Sequence, residues 1–248
     1  MYIEIPKSVL IIEDSAFVNC NALESVSISD VETFSQNAFV SCSSIHTVGL
    51  GKIIENMQLS AIFPNSFSKI QHVKIFDGVE IISDNAFRES YIKDVRFPNG
   101  LRVIGRAVFY QCSSLENASL PDSVTYINDY AFASCSSLTY IRIPENAELE
   151  SRYVFKDSNQ IKRIEIGNLD HLQYLPDLNS ITSIKIIGEL QIIPNMAFQN
   201  YKQLKTITLP DSVLEIKSKA FYSSNSLESF TVPKNLNSIG EYAFSQCI

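Results

Sequence analysis

The chain has 248 residues, 45% hydrophobic and 19% charged, which is enough to bury a sizeable core and argues against disorder. Its formal charge of −7 excludes a general nucleic-acid binder, because such a protein needs a basic surface to displace counterions. The first residues lack the features of a secretory signal, and no apolar run approaches the roughly 20 residues that span a bilayer. We therefore expect no direct membrane insertion.

A repeat of 22 or 23 residues runs through most of the chain, and an Ala-Phe pair such as Ala131-Phe132 marks it. The pair and its Val-Phe variants place one phenylalanine at the same slot of each regular unit. We expect these rings to form a ladder in the core, where removing one costs about 3–5 kcal/mol. The predicted ladder consists of Phe17, Phe39, Phe87, Phe109, Phe132, Phe155, Phe198, Phe221 and Phe244.

Residues 120–144, "LPDSVTYINDYAFASCSSLTYIRIP", show the predicted elements of one unit in chain order. A second extended stretch around "VTYI" leads into "NDYAFASC", which favours a brief helix or 3₁₀ turn because a capping residue precedes it. "LTYIRIP" alternates apolar and polar residues, as a strand with one buried face does, and Pro144 ends it. One unit cannot bury its apolar side alone, so the units must stack in register as a solenoid.

Eleven inner strands are predicted, all parallel. The resulting fold class is an α/β repeat solenoid, curved, with short helical, 3₁₀ or extended outer segments. We expect one domain over residues 1–248, built from ten to eleven repeats of 20–24 residues. The predicted strands start at Tyr2, Ser25, Thr47, His72, Asp94, Asn117, Tyr140, Arg163, Ser183, Thr206 and Ser229.

Two segments, 51–75 and 167–186, lose the Ala-Phe pair, and we expect the stack to bend or bulge there. Glu150 occupies a slot that isoleucine usually fills. Since an unpaired buried carboxylate is too costly, either Leu149 replaces it or the register slips. Both chain ends lack the polar caps that solenoids need, so we expect a fragment of a longer protein that could self-associate end to end.

The recurring pattern IPxSVxxIxxxAFxxCxxLxxVxIP resembles the BspA-like class of leucine-rich repeats. Residues 120–144 match it at nearly every slot, and the resemblance covers essentially the whole chain. Members of this family occur in oral bacteria and mucosal protist parasites, often as surface antigens. The resemblance implies a cell-surface or secreted adhesin without enzymatic activity that binds host or extracellular-matrix proteins.

Five cysteines fall three residues after a ladder phenylalanine, at a slot that serine also fills. Such a slot favours small, mostly buried side chains, and free thiols suit it. Disulfides between neighbouring units and a metal site remain alternatives, although no Cys-x-x-Cys spacing exists. The cysteines are Cys20, Cys42, Cys112, Cys135 and Cys247.

No motif for nucleotide, metal or acyl-transfer chemistry occurs, so we expect neither catalysis nor a cofactor. His46, His72 and His171 lie at unrelated slots, and we interpret all three as solvated surface residues.

The predicted binding site is the outward-pointing side of the inner strands. Its middle part carries five cations against two carboxylates, which favours an acidic protein or glycan partner, and arginine and tyrosine are frequent at binding hot spots. The alternative interpretation is a sheet face kept soluble by cross-strand pairs, such as Asp94 with a nearby arginine. The candidate residues are His72, Lys74, Asp94, Arg96, Tyr140, Arg142, Arg163, Glu165 and Lys185.

The sequence supports two hypotheses about function. The first is a surface antigen or adhesin that binds host or matrix proteins. The second is an intracellular, cytoplasmic scaffold for protein partners, which the missing signal and the free thiols would suit.

Overall fold

Short parallel strands, one from each repeat, line one side of the computed structural model, which describes residues 1–247. They pair in register, as Val26 with Val48 and Ile141 with Ile164 show, because each strand buries the same alternate positions. All eleven predicted starts are confirmed. The inner strands are Tyr2–Ile5, Ser25–Ile28, Thr47–Leu50, His72–Ile75, Asp94–Arg96, Asn117–Ser119, Tyr140–Ile143, Arg163–Ile166, Ser183–Ile186, Thr206–Thr208 and Ser229–Phe230.

The inner strands form a five-stranded and a six-stranded sheet rather than one continuous sheet. The division lies between Asp94–Arg96 and Asn117–Ser119, where both strands are three residues long. A backbone hydrogen bond from Glu116 N to Lys93 O, 3.1 Å, still joins the two segments where they enter these strands. The stack of repeats is therefore continuous although the strand ladder is interrupted.

The second extended stretch of each regular repeat forms a two-residue strand. These outer strands pair in parallel with those of neighbouring repeats, in sheets of two, four and three strands. Leu149 pairs with Ile127 and is buried, so it replaces Glu150 in the core as the first alternative predicted. The outer strands are Ile11–Ile12, Thr33–Phe34, Ile81–Ile82, Val103–Ile104, Tyr126–Ile127, Glu148–Leu149, Ile192–Ile193, Glu215–Ile216 and Ser238–Ile239.

The prediction of a helical turn around the ladder phenylalanine is wrong for the regular repeats. Two left-handed residues flank the ring instead, for example Tyr130 and Ser134, both with φ of 57°. This conformation directs backbone N–H groups along the solenoid axis, so that Phe132 N donates to Val154 O in the next repeat, 2.9 Å away. The turns thus form hydrogen bonds between repeats where a helix would form them within one segment.

Helices occur in the two irregular segments. The first holds an α-helix, Leu59–Ile62, between the 3₁₀ helices Lys52–Glu55 and Phe67–Lys69. The second holds the 3₁₀ helices Leu169–Tyr174 and Leu178–Ser180.

The phenylalanine ladder is confirmed as the centre of the core. Phe109 and Phe132 stack with centroids 5.2 Å apart, and Phe63 extends the ladder into the first irregular segment, 5.1 Å from Phe39. Seven of the nine predicted rings are fully buried. The first and last, Phe17 and Phe244, are only partly buried, because each packs against a neighbouring ring on one side.

The cysteine slot carries a repeated hydrogen bond. The thiols of Cys112 and Cys135 donate to the carbonyl of the ladder phenylalanine one repeat earlier, at 3.0 and 3.1 Å. The Ser158 hydroxyl does the same to Phe132 O at 2.6 Å. The slot accepts Cys or Ser because either can donate this bond. All five cysteines are free, and three of them are buried, namely Cys42, Cys112 and Cys135.

Candidate functional site

The predicted binding residues all lie on inner strands, but the structure separates them into two groups. Strand Asn117–Ser119, which carries no charged side chain, lies between them. The first group lies on His72–Ile75 and Asp94–Arg96, and the second on the three consecutive strands that begin at Tyr140, Arg163 and Ser183.

The second group is tied together by its own contacts. Lys185 forms an ion pair with Glu165 at 3.4 Å, and the Arg163 guanidinium lies over the Tyr140 ring, 5.5 Å from its centroid. Burial and the neighbouring Glu165 carboxylate raise the pKa of Tyr140. These cross-strand pairs match the alternative interpretation of the face, in which charges satisfy one another.

Arg142 is the most buried of the group's cations, with 18% of its side chain exposed. Its guanidinium donates to the Asp122 carboxylate and to the Leu120 carbonyl, both at 2.5 Å. Asp122 was missed by the sequence analysis because it lies in the bend after its strand, outside the alternating slots. Arg142 therefore anchors that bend and has little freedom to reach a partner.

In the first group, Asp94 pairs with His72 and not with an arginine, so the expected pairing is wrong. The His72 Nδ1 and Asp94 Oδ2 atoms are 2.5 Å apart, and the side chains are 48% and 49% exposed. The two residues lie directly opposite each other in the strand register, so the imidazole is next to the carboxylate. Arg96 lies opposite Lys74 instead.

Lys74 and Arg96 form the one like-charge pair of the candidate set. They lie directly opposite each other on neighbouring strands, where two like charges repel each other. Among residues 1–247, neither has a carboxylate within ion-pair distance. Both line an open groove together with Thr47, His72 and Asp94.

Phe76 supports this pair and was also missed. Lys74 Nζ lies 5.4 Å from the centroid of its ring, and the ring also covers Gly49, where a Cβ atom would lie 2.5 Å from Phe76 Cζ. Phe76 occupies the slot that proline fills in other repeats, eleven residues before the ladder Phe87. This departure from the repeat is the sequence feature that could have identified Phe76.

No cluster of three or more His, Cys, Asp or Glu side chains suited to a metal occurs in the described residues. The prediction for His171 is wrong: it is buried in the second irregular segment, where Nε2 donates to Ala147 O at 3.0 Å. No helix within residues 1–247 is long and apolar enough to span a membrane.

Comparison with known families gives one match over the whole chain. A family model described as "BspA type Leucine rich repeat region" matches in six copies, over residues 1–69, 60–177 and 174–248. None of the proteins with curated functions matches.

Several solved structures are similar to the chain. A leucine-rich repeat protein from Bacteroides ovatus is 23% identical, with 100% of this chain and 76% of that chain covered and a TM-score of 0.42. The T. pallidum leucine-rich repeat protein is 23% identical, with 71% and 78% covered and a TM-score of 0.46. A leucine-rich cell surface protein from Faecalibacterium prausnitzii is 20% identical, with 97% and 79% covered and a TM-score of 0.35.

Proposed function

The chain belongs to the BspA-type leucine-rich repeat family, and from this premise we propose that it is a non-enzymatic protein-binding module of a cell-surface adhesin or antigen. Its partners in this proposal are host or extracellular-matrix proteins. The inner sheet face is the binding surface, and an acidic segment of the partner lies across the first group of candidate residues.

The observation that carries this proposal is the opposed pair of Lys74 and Arg96, neither of which has a carboxylate within ion-pair distance among the described residues. The two cations lie opposite each other at exposed positions, where their repulsion opposes folding. A partner carboxylate between them would remove the repulsion and form charge-assisted hydrogen bonds, which are about twice as strong as neutral ones. The whole chain has a formal net charge of −7, so this local positive charge would also orient an acidic partner towards the inner sheet face.

The second group supports the same surface in another way. Tyr140 and Arg163 hold each other through their cation–π contact, so little side-chain freedom is lost when a partner covers them. Tyrosine and arginine are among the residue types enriched at binding hot spots. The partner would thus gain directional charge contacts at Lys74 and Arg96, and apolar contact area further along the sheet.

Binding to a panel of purified host extracellular-matrix proteins tests the proposal. We expect binding that weakens as salt rises and that falls about tenfold or more in Arg96→Gln, since a hydrogen bond to a charged group contributes about 1.5–3 kcal/mol. The matched control is Lys205→Gln, which removes an exposed cation already paired with Glu228. Binding that does not change in Arg96→Gln would place the interaction elsewhere.

The cellular location needs its own test, because an intracellular scaffold remains the second candidate. Five free thiols, three of them buried, suit a reducing compartment and favour that alternative. Antibody staining of intact and permeabilised source cells separates the two. Signal on intact cells supports the surface protein, and signal that needs permeabilisation supports the scaffold.

Self-association belongs to the same proposal. Ile239 on the last repeat is 56% exposed, and the apolar side chains of Ile3, Val9 and Phe17 on the first repeat are only partly buried, so the two end surfaces could stack. Such a head-to-tail contact does not close on itself and would form chains of molecules. Light scattering over a range of concentrations should then show a mass that increases with concentration, and Ile239→Lys should reduce it.

A further inference from the structure

A second polar groove lies on the turn side of the solenoid, away from the inner strands. It spans four consecutive repeats and has a volume of about 650 Å³, within the roughly 300–1,000 Å³ of small-ligand sites. It is open, and we call it the tyrosine groove. Its lining residues are Asp84, Asn85, Arg88, Arg106, Ala107, Tyr110, Tyr130 and Lys156.

The aromatic part of the groove is built by the repeat. Tyr110 follows one ladder phenylalanine and Tyr130 precedes the next ladder phenylalanine by two residues, so the turns bring them together. Their ring centroids are 6.4 Å apart with planes at 80°, and Tyr130 stacks in turn on Tyr153 at 5.4 Å. All three rings are partly buried, which holds them in place.

Cations are positioned against these rings. Arg88 Cζ lies 4.8 Å from the Tyr110 centroid, and Arg106 Cζ lies 6.0 Å from the Tyr130 centroid. Arg88 also pairs with Glu89, whereas Arg106 and Lys156 have no ion-pair partner among the described residues. A guanidinium or ammonium group held in this way retains donors for an anion.

The groove also presents acceptors. Asp84 Oδ1 accepts a hydrogen bond from the Arg106 backbone N at 2.7 Å, which fixes the carboxylate and leaves Oδ2 for other donors. Asn85 adds an amide beside it. A ligand that is only anionic would be repelled by Asp84, so the site fits a ligand that combines a carboxylate with hydroxyl donors.

We propose that the tyrosine groove binds a carboxylate-bearing sugar, such as a uronic or sialic acid residue of a glycan. The carboxylate contacts Arg106 and Lys156, the ring hydroxyls donate to Asp84 and Asn85, and the C–H face of the ring packs on tyrosine. An acidic peptide also carries a carboxylate, but its flexible side chains would lose more entropy on binding than a sugar ring. This site is independent of the inner face.

Titration of the whole 248-residue chain with D-glucuronic acid and N-acetylneuraminic acid, followed by NMR, tests this inference. D-glucuronamide is the matched probe, because it keeps the ring and hydroxyls and lacks the charge. We expect shifts at the rings of Tyr110 and Tyr130, and an affinity roughly tenfold or more lower for the amide, for Arg106→Gln and for Lys156→Gln. Lys205→Gln, which removes an exposed cation paired with Glu228, should bind the acids as the unchanged protein does.

Three results would overturn the inference. Equal binding of acid and amide would show that the cations do not recognise the carboxylate. No binding of either acid at millimolar concentration would show that the groove is not a site for acidic sugars. A glutamate-rich peptide that shifts the same rings more strongly and is equally weakened by Arg106→Gln would identify a peptide site instead. Because the ring shifts are measured on the unchanged protein, the test does not depend on how the variants fold.

Discussion

Lys74 and Arg96 lie directly opposite each other on neighbouring inner strands, and no carboxylate in residues 1–247 lies within ion-pair distance of either. Three other charged candidates have an ion-pair partner: His72 pairs with Asp94, Lys185 with Glu165, and Arg142 with Asp122. Arg163 has no carboxylate within ion-pair distance among the described residues, but its guanidinium lies over the Tyr140 ring. A residue pair that weakens the fold and faces solvent is typical of a surface shaped by binding rather than by stability.

Replacing Arg96 should therefore stabilise the protein while it weakens binding. We expect Arg96→Gln to raise the free energy of unfolding by up to about 0.5 kcal/mol, the usual range of a surface substitution, because it removes the repulsion and keeps the contact of Lys74 with Phe76. Urea unfolding followed by circular dichroism measures this as a higher midpoint. Lys185→Gln is the matched control, since it breaks an ion pair and should give no gain. A lower midpoint for Arg96→Gln would show that the pair is not strained.

Replacing a ladder phenylalanine should lower the free energy of unfolding more in the middle of the solenoid than at its ends. Phe132→Ala should lose about 3–5 kcal/mol, because the ring is fully buried between Phe109 and Phe155. Phe244→Ala should lose clearly less, since that ring is only partly buried. Denaturant unfolding of both variants gives the comparison. Equal losses would contradict the ladder as the main source of core stability.

Thiol reactivity should follow the depth of each cysteine in its slot. Burial raises the pKa of Cys112 to about 11 and raises that of Cys135 well above its usual value, so little reactive thiolate forms at pH 8. Cys20 and Cys247 are only partly buried and should react first with iodoacetamide. Mass spectrometry of native and urea-unfolded protein measures the order of labelling. Early modification of Cys112 would indicate that the middle repeats open easily.

Mild acid should destabilise the second irregular segment through His171. Burial lowers the pKa of this histidine below its usual 6.5, and Nδ1 has no hydrogen-bond partner among the described residues. The unfolded chain therefore takes up the proton first, and stability is lost as the pH falls below about 6.5 towards the folded pKa. Above that pH, His171 does not contribute to the pH dependence of the free energy of unfolding.

His171→Gln separates this effect from other acid-sensitive groups. Glutamine keeps an N–H donor for the Ala147 carbonyl but cannot gain the proton. The unfolding midpoint of this variant should fall less between pH 7 and pH 5 than that of the unchanged protein. His46→Gln is the matched control, because it removes a histidine at an exposed position. If both variants behave like the unchanged protein, His171 does not control this transition.

The inner strands could be predicted from the sequence because the same alternation of apolar and polar residues recurs in repeat after repeat. Every inner strand starts where the alternation placed it, including His72 and Ser183 in the irregular region. The turns could not be read in the same way. Their left-handed positions hold residues such as Tyr130 and Ser134 rather than glycine, and these carry no signal for positive φ.

The candidate site was predicted as a surface but not as a set of contacts. Alternation places side chains on one face, and the register then sets which neighbours meet, so that His72 lies next to Asp94. The partner of Arg142 lies in a bend, whose geometry the alternation does not describe. The burial of His171 was missed because the irregular segment has no slot to align with the other repeats.

The central claim is that the inner face binds a protein through Lys74 and Arg96. Interferometry with immobilised host extracellular-matrix proteins tests it most directly, comparing the unchanged chain with the double variant Lys74→Gln/Arg96→Gln and with Lys205→Gln. We expect at least one matrix protein to bind the unchanged chain and Lys205→Gln alike, and the double variant at least tenfold more weakly. Equal binding of all three proteins, or no binding to any matrix protein, would contradict the claim.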